Sequence, residues 1–311
     1  MARVDVIIPF YNTPIAFTRE ALESVRAQTM PDWRVVLIND GSNDESTRAL
    51  EALLKELADP RITYFKKPNG GVARARNFGI EASDSPLIAL LDSDDVFYPH
   101  RLAAACELFD WQPHLAMLHA DVENMSRDGK PLPPRAPFPG GVPVLPLAQF
   151  NQILKTNYVS LATVTIRRAA LVETGAFDPE FDTLEDKELW LRLLMFNQSI
   201  GYLPLTVSRY RIHGTNISKN VPKMARGRQR LIDKLDRLLK THPLIGPEEW
   251  SHRRRGMERH MYLEMASTYL EVNEPWKALR YTMPQYSGLS KQGVKAALRA
   301  LYRGTRQLTG T

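Results

Sequence analysis

Three carboxylates close an apolar run in Leu90-Leu91-Asp92-Ser93-Asp94-Asp95. The stretch from Pro86 to Leu91 is apolar on both faces. That is the pattern of a central strand in a parallel sheet, and in open α/β sheets ligands bind beyond the carboxyl ends of such strands. In extended backbone Asp92 and Asp94 project to one side and Asp95 to the other. Like charges held so close repel, so a proton, an arginine or lysine, or a divalent cation has to offset them. Hard oxygen ligands around an open position suit Mg²⁺ or Mn²⁺, and those cations suit a diphosphate. The bland alternative is a solvated turn.

A second acidic group stands in Thr183-Leu184-Glu185-Asp186-Lys187-Glu188-Leu189-Trp190. The dipole of a helix favours acidic residues at its N-terminus, so capping is one role for this pair; the other is a general base for an incoming hydroxyl. Neighbouring residues leave a helix about 100° apart, so only one of Glu185 and Asp186 is expected to face a cleft. In Arg209-Tyr210-Arg211-Ile212-His213-Gly214, spacing alone leaves the histidine a hydrogen-bonded loop residue, and Arg211 meets either a phosphate or a surface carboxylate. The single cysteine, Cys106, excludes an intramolecular disulfide and reads as helix packing.

Holding these groups in place needs a regular scaffold. With 311 residues, 43% hydrophobic and 24% charged, the chain can bury one large α/β core and a smaller appendage. No stretch approaches the roughly 20 apolar residues of a spanning helix, and Met1-Ala2-Arg3-Val4 runs into a strand without a signal peptide, so a cytoplasmic protein is expected. Buried-strand patterns at Val4 to Pro9, Arg34 to Ile38, Arg61 to Phe65 and Pro86 to Leu91 alternate with helical periodicity. The helices are expected at Thr18 to Gln28, up to Leu57 with Asp44 or Ser42 as cap, and at Val72 to Ala82. Strict alternation predicts a doubly wound, mostly parallel sheet with right-handed crossovers. The loops after the four strands then open on one edge and bring Tyr11 and Asn12, Asp40, Asn69 to Gly71, and Asp92 to Asp95 to one cleft. The absence of a Gly-x-Gly-x-x-Gly or Gly-Lys-Ser/Thr loop argues against a dinucleotide fold and a P-loop. Beyond it come a helix from Pro99 to Trp111, a strand from Ala116 to Val122 at the far side of the sheet, and a strand from Val159 to Ile166. Residues 130–146 hold seven prolines, which forbids a regular helix or central strand and predicts a surface loop.

Four segments in register, Ile8-Pro9-Phe10-Tyr11-Asn12, Asn39-Asp40-Gly41-Ser42, Asn69-Gly70-Gly71 with Ala75-Arg76-Asn77-Phe78-Gly79, and Leu91-Asp92-Ser93-Asp94-Asp95, resemble the family 2 glycosyltransferases. The resemblance covers residues 4–95 and continues more weakly to about 218. It implies a GT-A fold and an inverting, metal-dependent transfer of a sugar from a nucleotide-sugar donor to a hydroxyl of a glycan or lipid-linked acceptor, as in surface polysaccharide synthesis. UDP is the commonest nucleotide in the family, with GDP and dTDP open. The base maps to Asp186, with Glu185 beside it; the Mn²⁺ or Mg²⁺ ligands map to Asp94 with Asp92 and His213. In that arrangement Asp40 hydrogen-bonds the nucleobase, Pro9 with Tyr11 packs beside it, Asp92 reaches the ribose, and Arg76 rather than Arg74 faces the pyrophosphate.

The net charge of +6 is uneven, with arginine and lysine concentrated after about residue 219. From Lys223 the pattern turns helical: Leu231, Leu235, Leu238 and Leu239 mark one face, His260 to Val272 and Trp276 to Met283 suggest a helix pair, and Lys291 to Arg303 a basic amphipathic helix. The fold class expected is thus α/β, a GT-A type doubly wound sheet with a C-terminal α-helical extension. The domains are residues 1–218, binding the nucleotide-sugar and catalysing transfer, and residues 219–311, basic and helical. The extension is a helical cap, or it recognises the acceptor or makes a peripheral contact with an anionic membrane; no nucleic acid partner is expected. Two other functions compete. A sugar nucleotidyltransferase lacks its Gly-rich basic loop here, and a degenerate nucleotide-binding module does not explain why the acidic turn and the candidate base are both kept.

Overall fold

The structure is a computed structural model that describes residues 2–133, 145–214 and 220–271. The chain divides into two compact units, residues 1–215 and 216–311.

The first unit is built on an eight-stranded sheet of order β3-β2-β1-β4-β7-β6-β8-β5, where β1 is Val4–Phe10, β2 Trp33–Asp40, β3 Ile62–Lys67, β4 Leu87–Leu90, β5 Val96–Phe97, β6 Leu115–Ser126, β7 Thr165–Arg167 and β8 Ser199–Ile212. β3, β2, β1 and β4 run parallel, as the alternation with α1 (Ile15–Arg26), α2 (Asp44–Leu57) and α3 (Val72–Glu81) predicts. The other half is mixed. β7 is antiparallel to both β4 and β6, β6 and β8 are parallel, and β5 closes the edge antiparallel to β8. The strand expected at Ala116 to Val122 is therefore longer and lies inside the sheet. The run from Val159 to Ile166 becomes a 3₁₀ turn, Leu161–Thr163, and the three-residue β7.

β1 is buried along nearly all its length, between β2 and β4, which explains why it reads as a continuous apolar run. The cap of α2 is Asn43, whose side chain accepts from Ser46 N at 2.8 Å, and not Asp44 or Ser42. Its neighbours Asp44 and Glu45 then fall in the first turn, where the helix dipole favours them. α4 (Arg101–Trp111), α5 (Pro146–Lys155), α6 (Arg168–Thr174) and α7 (Glu185–Met195) complete the unit. α7 is buried from Lys187 to Met195, so its first turn is anchored by a rigid helix. Of the proline-rich stretch, residues 134–144 lie outside the described residues.

In the second unit, α8 (Val221–Thr241) buries Leu231, Ile232, Leu235 and Leu239. α9 (Pro247–Glu271) starts well before the expected His260. Trp250 Nε1 donates to Asp236 Oδ1 at 2.6 Å, and Arg254 pairs with the same carboxylate at 2.7 Å. The expected helices at Trp276 to Met283 and Lys291 to Arg303 lie outside the described residues. Among those described, no helix is long and apolar enough to cross a membrane.

Candidate active site

Side chains stitch the loops after the parallel strands to one another. Buried Asn39 at the end of β2 accepts from Ser42 N (2.9 Å) and donates to Thr47 Oγ1 (3.0 Å). Ser42 Oγ accepts from Asn12 N (3.0 Å), and Asn12 Oδ1 from Asn43 N (2.9 Å), which joins the loops after β1 and β2. Gly41 has φ +71°, and a Cβ there would lie 2.4 Å from Asn69 N, so glycine is what lets the loop after β3 come in. Asp40, 3% exposed, binds that loop. One carboxylate oxygen accepts from Gly70 N (3.0 Å) and Lys67 Nζ, the other from Gly71 N (2.8 Å) and Asn69 Nδ2 (3.3 Å). A carboxylate has about four lone-pair sites, and all are taken. Asp40 is therefore a staple at the N-terminus of α3, where negative charge is favoured. Tyr11, 55% exposed, and half-buried Pro9 stand at the end of β1.

The Ala-Arg-Asn-Phe-Gly segment of α3 carries the link across the cleft. Arg76, 3% exposed, donates from Nη2 to Asp92 Oδ1 (2.7 Å) and from Nη1 to Glu185 Oε1 (2.6 Å). Burial lowers the pKa of this guanidinium, but the two carboxylates more than reverse the effect. Both forks that the resemblance assigns to a pyrophosphate are thus held by carboxylates. Asn77 clamps the main chain of Phe177, donating to its carbonyl (2.7 Å) and accepting from its N–H (2.9 Å), and so fixes the turn that leads towards α7. A Cβ on Gly79 would lie 2.6 Å from Ile38 Cδ1 and 2.7 Å from Ile7 Cγ2, so the glycine sets how closely α3 lies on the sheet.

Glu185 and Asp186 open α7 and diverge. Glu185 goes to Arg76, whereas Asp186 accepts from Lys187 N on Oδ1 (2.6 Å) and from Asn157 Nδ2 on Oδ2 (2.8 Å). Burial first, and the charge of Glu185 second, push the Asp186 carboxyl up to about 6. At neutral pH it is ionised, yet far more basic than an exposed aspartate. This suits a general base, whose efficiency peaks when its pKa lies near the working pH.

On the other side of the acidic turn, Asp94 Oδ2 lies 2.7 Å from His213 Nε2. Burial and the charge of Asp92 raise the Asp94 pKa, with His213 opposing them. Asp95 is 2% exposed and accepts from Arg211 N (2.9 Å); burial and its two acidic neighbours push it well above the usual carboxylate range. Arg211 is fully buried. It donates to the Asp94 carbonyl (2.8 Å), the Arg127 carbonyl (2.8 Å) and Glu20 Oε2 (2.6 Å), with Phe17 packed 4.3 Å from its guanidinium. Glu20 is a carboxylate partner of Arg211, which shapes the acidic turn from behind.

Of the three expected metal ligands, Asp94 and His213 come together and Asp92 turns to Arg76. Among the described residues, no three His, Cys, Asp or Glu side chains stand ready to hold a metal ion. A carboxylate oxygen beside an imidazole nitrogen still suits Mn²⁺ or Mg²⁺, since such cations are often held by one or two protein groups, with phosphate oxygens and water supplying the rest. Reading the sequence missed Asn157, Glu20 and Phe17. Asn77 lies inside a recognised motif and was legible there; the other three have no local pattern.

The stapled parallel sheet, with an acidic turn beyond its fourth strand and a carboxylate pair at the head of α7, has the GT-A fold. Over residues 5–173 the chain matches the family model described as glycosyl transferase family 2, and it belongs to that family. It is 33% identical over 217 residues to an uncharacterized glycosyltransferase of Rickettsia bellii, covering 69% of this chain and 29% of that protein. It is 28% identical over 225 residues to the putative teichuronic acid biosynthesis glycosyltransferase TuaG of Bacillus subtilis, covering 72% of this chain and 84% of TuaG. Residues 1–349 of S. aureus TarS in complex with UDP-GlcNAc share the fold at TM-score 0.59 and 18% identity, covering 92% of each chain. The mannosyltransferase PcManGT of Pyrobaculum calidifontis, in complex with GDP-Man and Mn²⁺, does so at TM-score 0.63 and 16% identity, covering 98% of this chain and 80% of that one. The chain spans 29 to 33% of the length of the first three curated relatives it matches.

Proposed function

We propose that this chain transfers a sugar from a nucleotide-sugar donor, UDP-linked before GDP- or dTDP-linked, to a hydroxyl of a glycan or lipid-linked acceptor, with inversion, in the synthesis of a surface polysaccharide. The observation that carries this reading is the Asp92–Arg76–Glu185 bridge, which ties the end of β4 to the turn of α7 that bears Asp186. The polysaccharide context is drawn from the name of TuaG, and the donor from the UDP-GlcNAc bound in TarS.

In the proposed reaction Asp186 accepts the proton of the acceptor hydroxyl as its oxygen bonds to the anomeric carbon. The bond from that carbon to the diphosphate oxygen breaks on the opposite face, so a single displacement inverts the centre. General-base assistance of this kind is worth about 10² to 10⁴ in rate. Asp94 and His213 would hold Mn²⁺ or Mg²⁺, which when bound supplies Lewis-acid neutralisation of the departing diphosphate. Asp92 turns from Arg76 towards the ribose, and Tyr11 and Pro9 pack beside the base. Asp40 supports that pocket by holding the loop after β3. The division of labour is residues 1–218 for donor and catalysis, and residues 219–311 for the acceptor or a peripheral contact with an anionic membrane.

The test is a thermal-shift panel of UDP, GDP, dTDP and their sugars, each with Mn²⁺, Mg²⁺ or chelator, on the wild type and Asp94→Ala. A ligand at a hundred times its Kd stabilises the fold by about 2.7 kcal/mol. A shift from one nucleotide that needs the cation and disappears in Asp94→Ala is expected. The same shift in chelator, or in the variant, removes Asp94 and the metal from the donor site.

A further inference from the structure

Asn157 lies between α5 and the 3₁₀ turn, in a segment held at both ends. Before it, the Leu154 carbonyl accepts from Lys187 Nζ at 2.9 Å; after it, buried Tyr158 packs edge-on to His119, with ring centroids 5.4 Å apart, and His119 lies against Tyr202 at 5.2 Å. Asn157 Nδ2 donates to Asp186 Oδ2, and among the described residues Asn157 Oδ1 is buried without a hydrogen-bond partner. Buried polar atoms are nearly always paired, so an amide left half-satisfied needs another reason to be there. The contact with Asp186 supplies one.

We propose that Asn157 is a positioning residue for sugar transfer: its amide holds Oδ2 of Asp186, opposite the Lys187 N–H on Oδ1, and so aims the carboxylate and favours its ionised form. The proposal rests on the reading of Asp186 as the base. A hydrogen bond donated to the charged form of a carboxylate lowers its pKa, which opposes burial and the like charge of Glu185. The Lys187 N–H and the charge of Arg76 lower it as well, both ahead of Asn157, and Asn157 supplies a side-chain bond to the carboxylate. Arg76, from α3, acts on Asp186 through space but bonds Glu185 and Asp92. Arg168 of α6 donates to the Ser85 and Ile80 carbonyls, and Arg192 of α7 to Glu188 and the Ala176 carbonyl.

The experiment is the pH dependence of kcat at saturating donor and acceptor, for the wild type, Asn157→Ala, the near-isosteric Asn157→Asp, and Asp186→Asn. Loss of the donated hydrogen bond moves the acid limb of Asn157→Ala to higher pH, and well below the midpoint kcat falls about tenfold for each unit moved. Asn157→Asp, which adds a like charge, moves it further. The donor KM stays at the wild-type value in both, and kcat recovers towards the alkaline plateau. An acid limb at the wild-type position in both variants, or a loss of kcat equal at every pH, overturns the proposal. Asp186→Asn judges the underlying reading separately: transfer lost with the nucleotide thermal shift intact upholds Asp186 as the base whatever Asn157 does, and normal transfer in Asp186→Asn removes the base and the role of Asn157 with it.

Discussion

The two aspartates that matter most at the residue scale are opposites. Asp186 is raised to about 6 by burial and by Glu185, so the anion that the proposed base needs is lost as pH falls through that value. Transfer is expected to decline by about tenfold per unit below pH 6 in a pH–rate profile of kcat. Asp186→Asn should lose about 10² to 10⁴ in kcat while still binding donor, checked by transfer assay and by nucleotide thermal shift. Asp40, by contrast, spends its charge on structure. Asp40→Ala strands the Gly70 and Gly71 N–H groups and leaves Lys67 without its carboxylate, which should cost about 1 to 3 kcal/mol. A lowered midpoint in urea with an unchanged m-value is the expected result. If Asp40→Asn changes discrimination between uracil and cytosine nucleotides without loss of stability, the staple assignment fails.

α3 does the most for the site at the scale of elements. Its buried face sits on β1 and β2, Arg76 reaches Asp92 after β4 and Glu185 at the head of α7, and Asn77 holds the turn at Phe177. The close approach depends on Gly79, whose missing Cβ would collide with Ile7 and Ile38. Gly79→Ala should therefore cost about 1 to 3 kcal/mol of stability through overpacking, even though alanine is the better helix former. Denaturant unfolding measures it, and a stabilised Gly79→Ala would show that the helix can lift from the sheet without penalty. β8 plays the corresponding part on the other side. It delivers Arg211 under the acidic turn and His213 to Asp94, while α1 supplies Glu20 and Phe17 to keep Arg211 in place.

In the whole molecule, every candidate site residue from Pro9 to His213 falls within the unit of residues 1–215. A fragment of residues 1–215 should therefore keep a cation-dependent thermal shift with its nucleotide, and lose transfer only if the helical unit binds the acceptor. Loss of the nucleotide shift in a folded fragment, judged by circular dichroism, would place part of the donor site in residues 216–311. The proposed cation dependence belongs to this scale, because β4 and β8 must both be in position for Asp94 and His213 to meet.

The sequence by itself determined the parallel half of the sheet, its helices, the loops that gather at its carboxyl edge, and the place of Asp186 at the head of a helix. These follow from short-range causes: apolar runs, helical periodicity, and the turn preferences of glycine, asparagine and aspartate. Tertiary structure alone decided which groups those residues meet. Arg76 bonds carboxylates 16 and 109 residues away, Asp40 is filled by a loop about 30 residues on, Arg211 reaches back 191 residues to Glu20, and Asn157 meets Asp186 across 29. Of the mixed half of the sheet the strand at Ala116 to Val122 and the region of β7 were legible, but β5, β8 and the pairing of all four were hidden for the same reason. Short strands such as β5 and β7 carry almost no periodicity, and their partners and directions are set by packing between segments far apart in the chain, which no local pattern encodes.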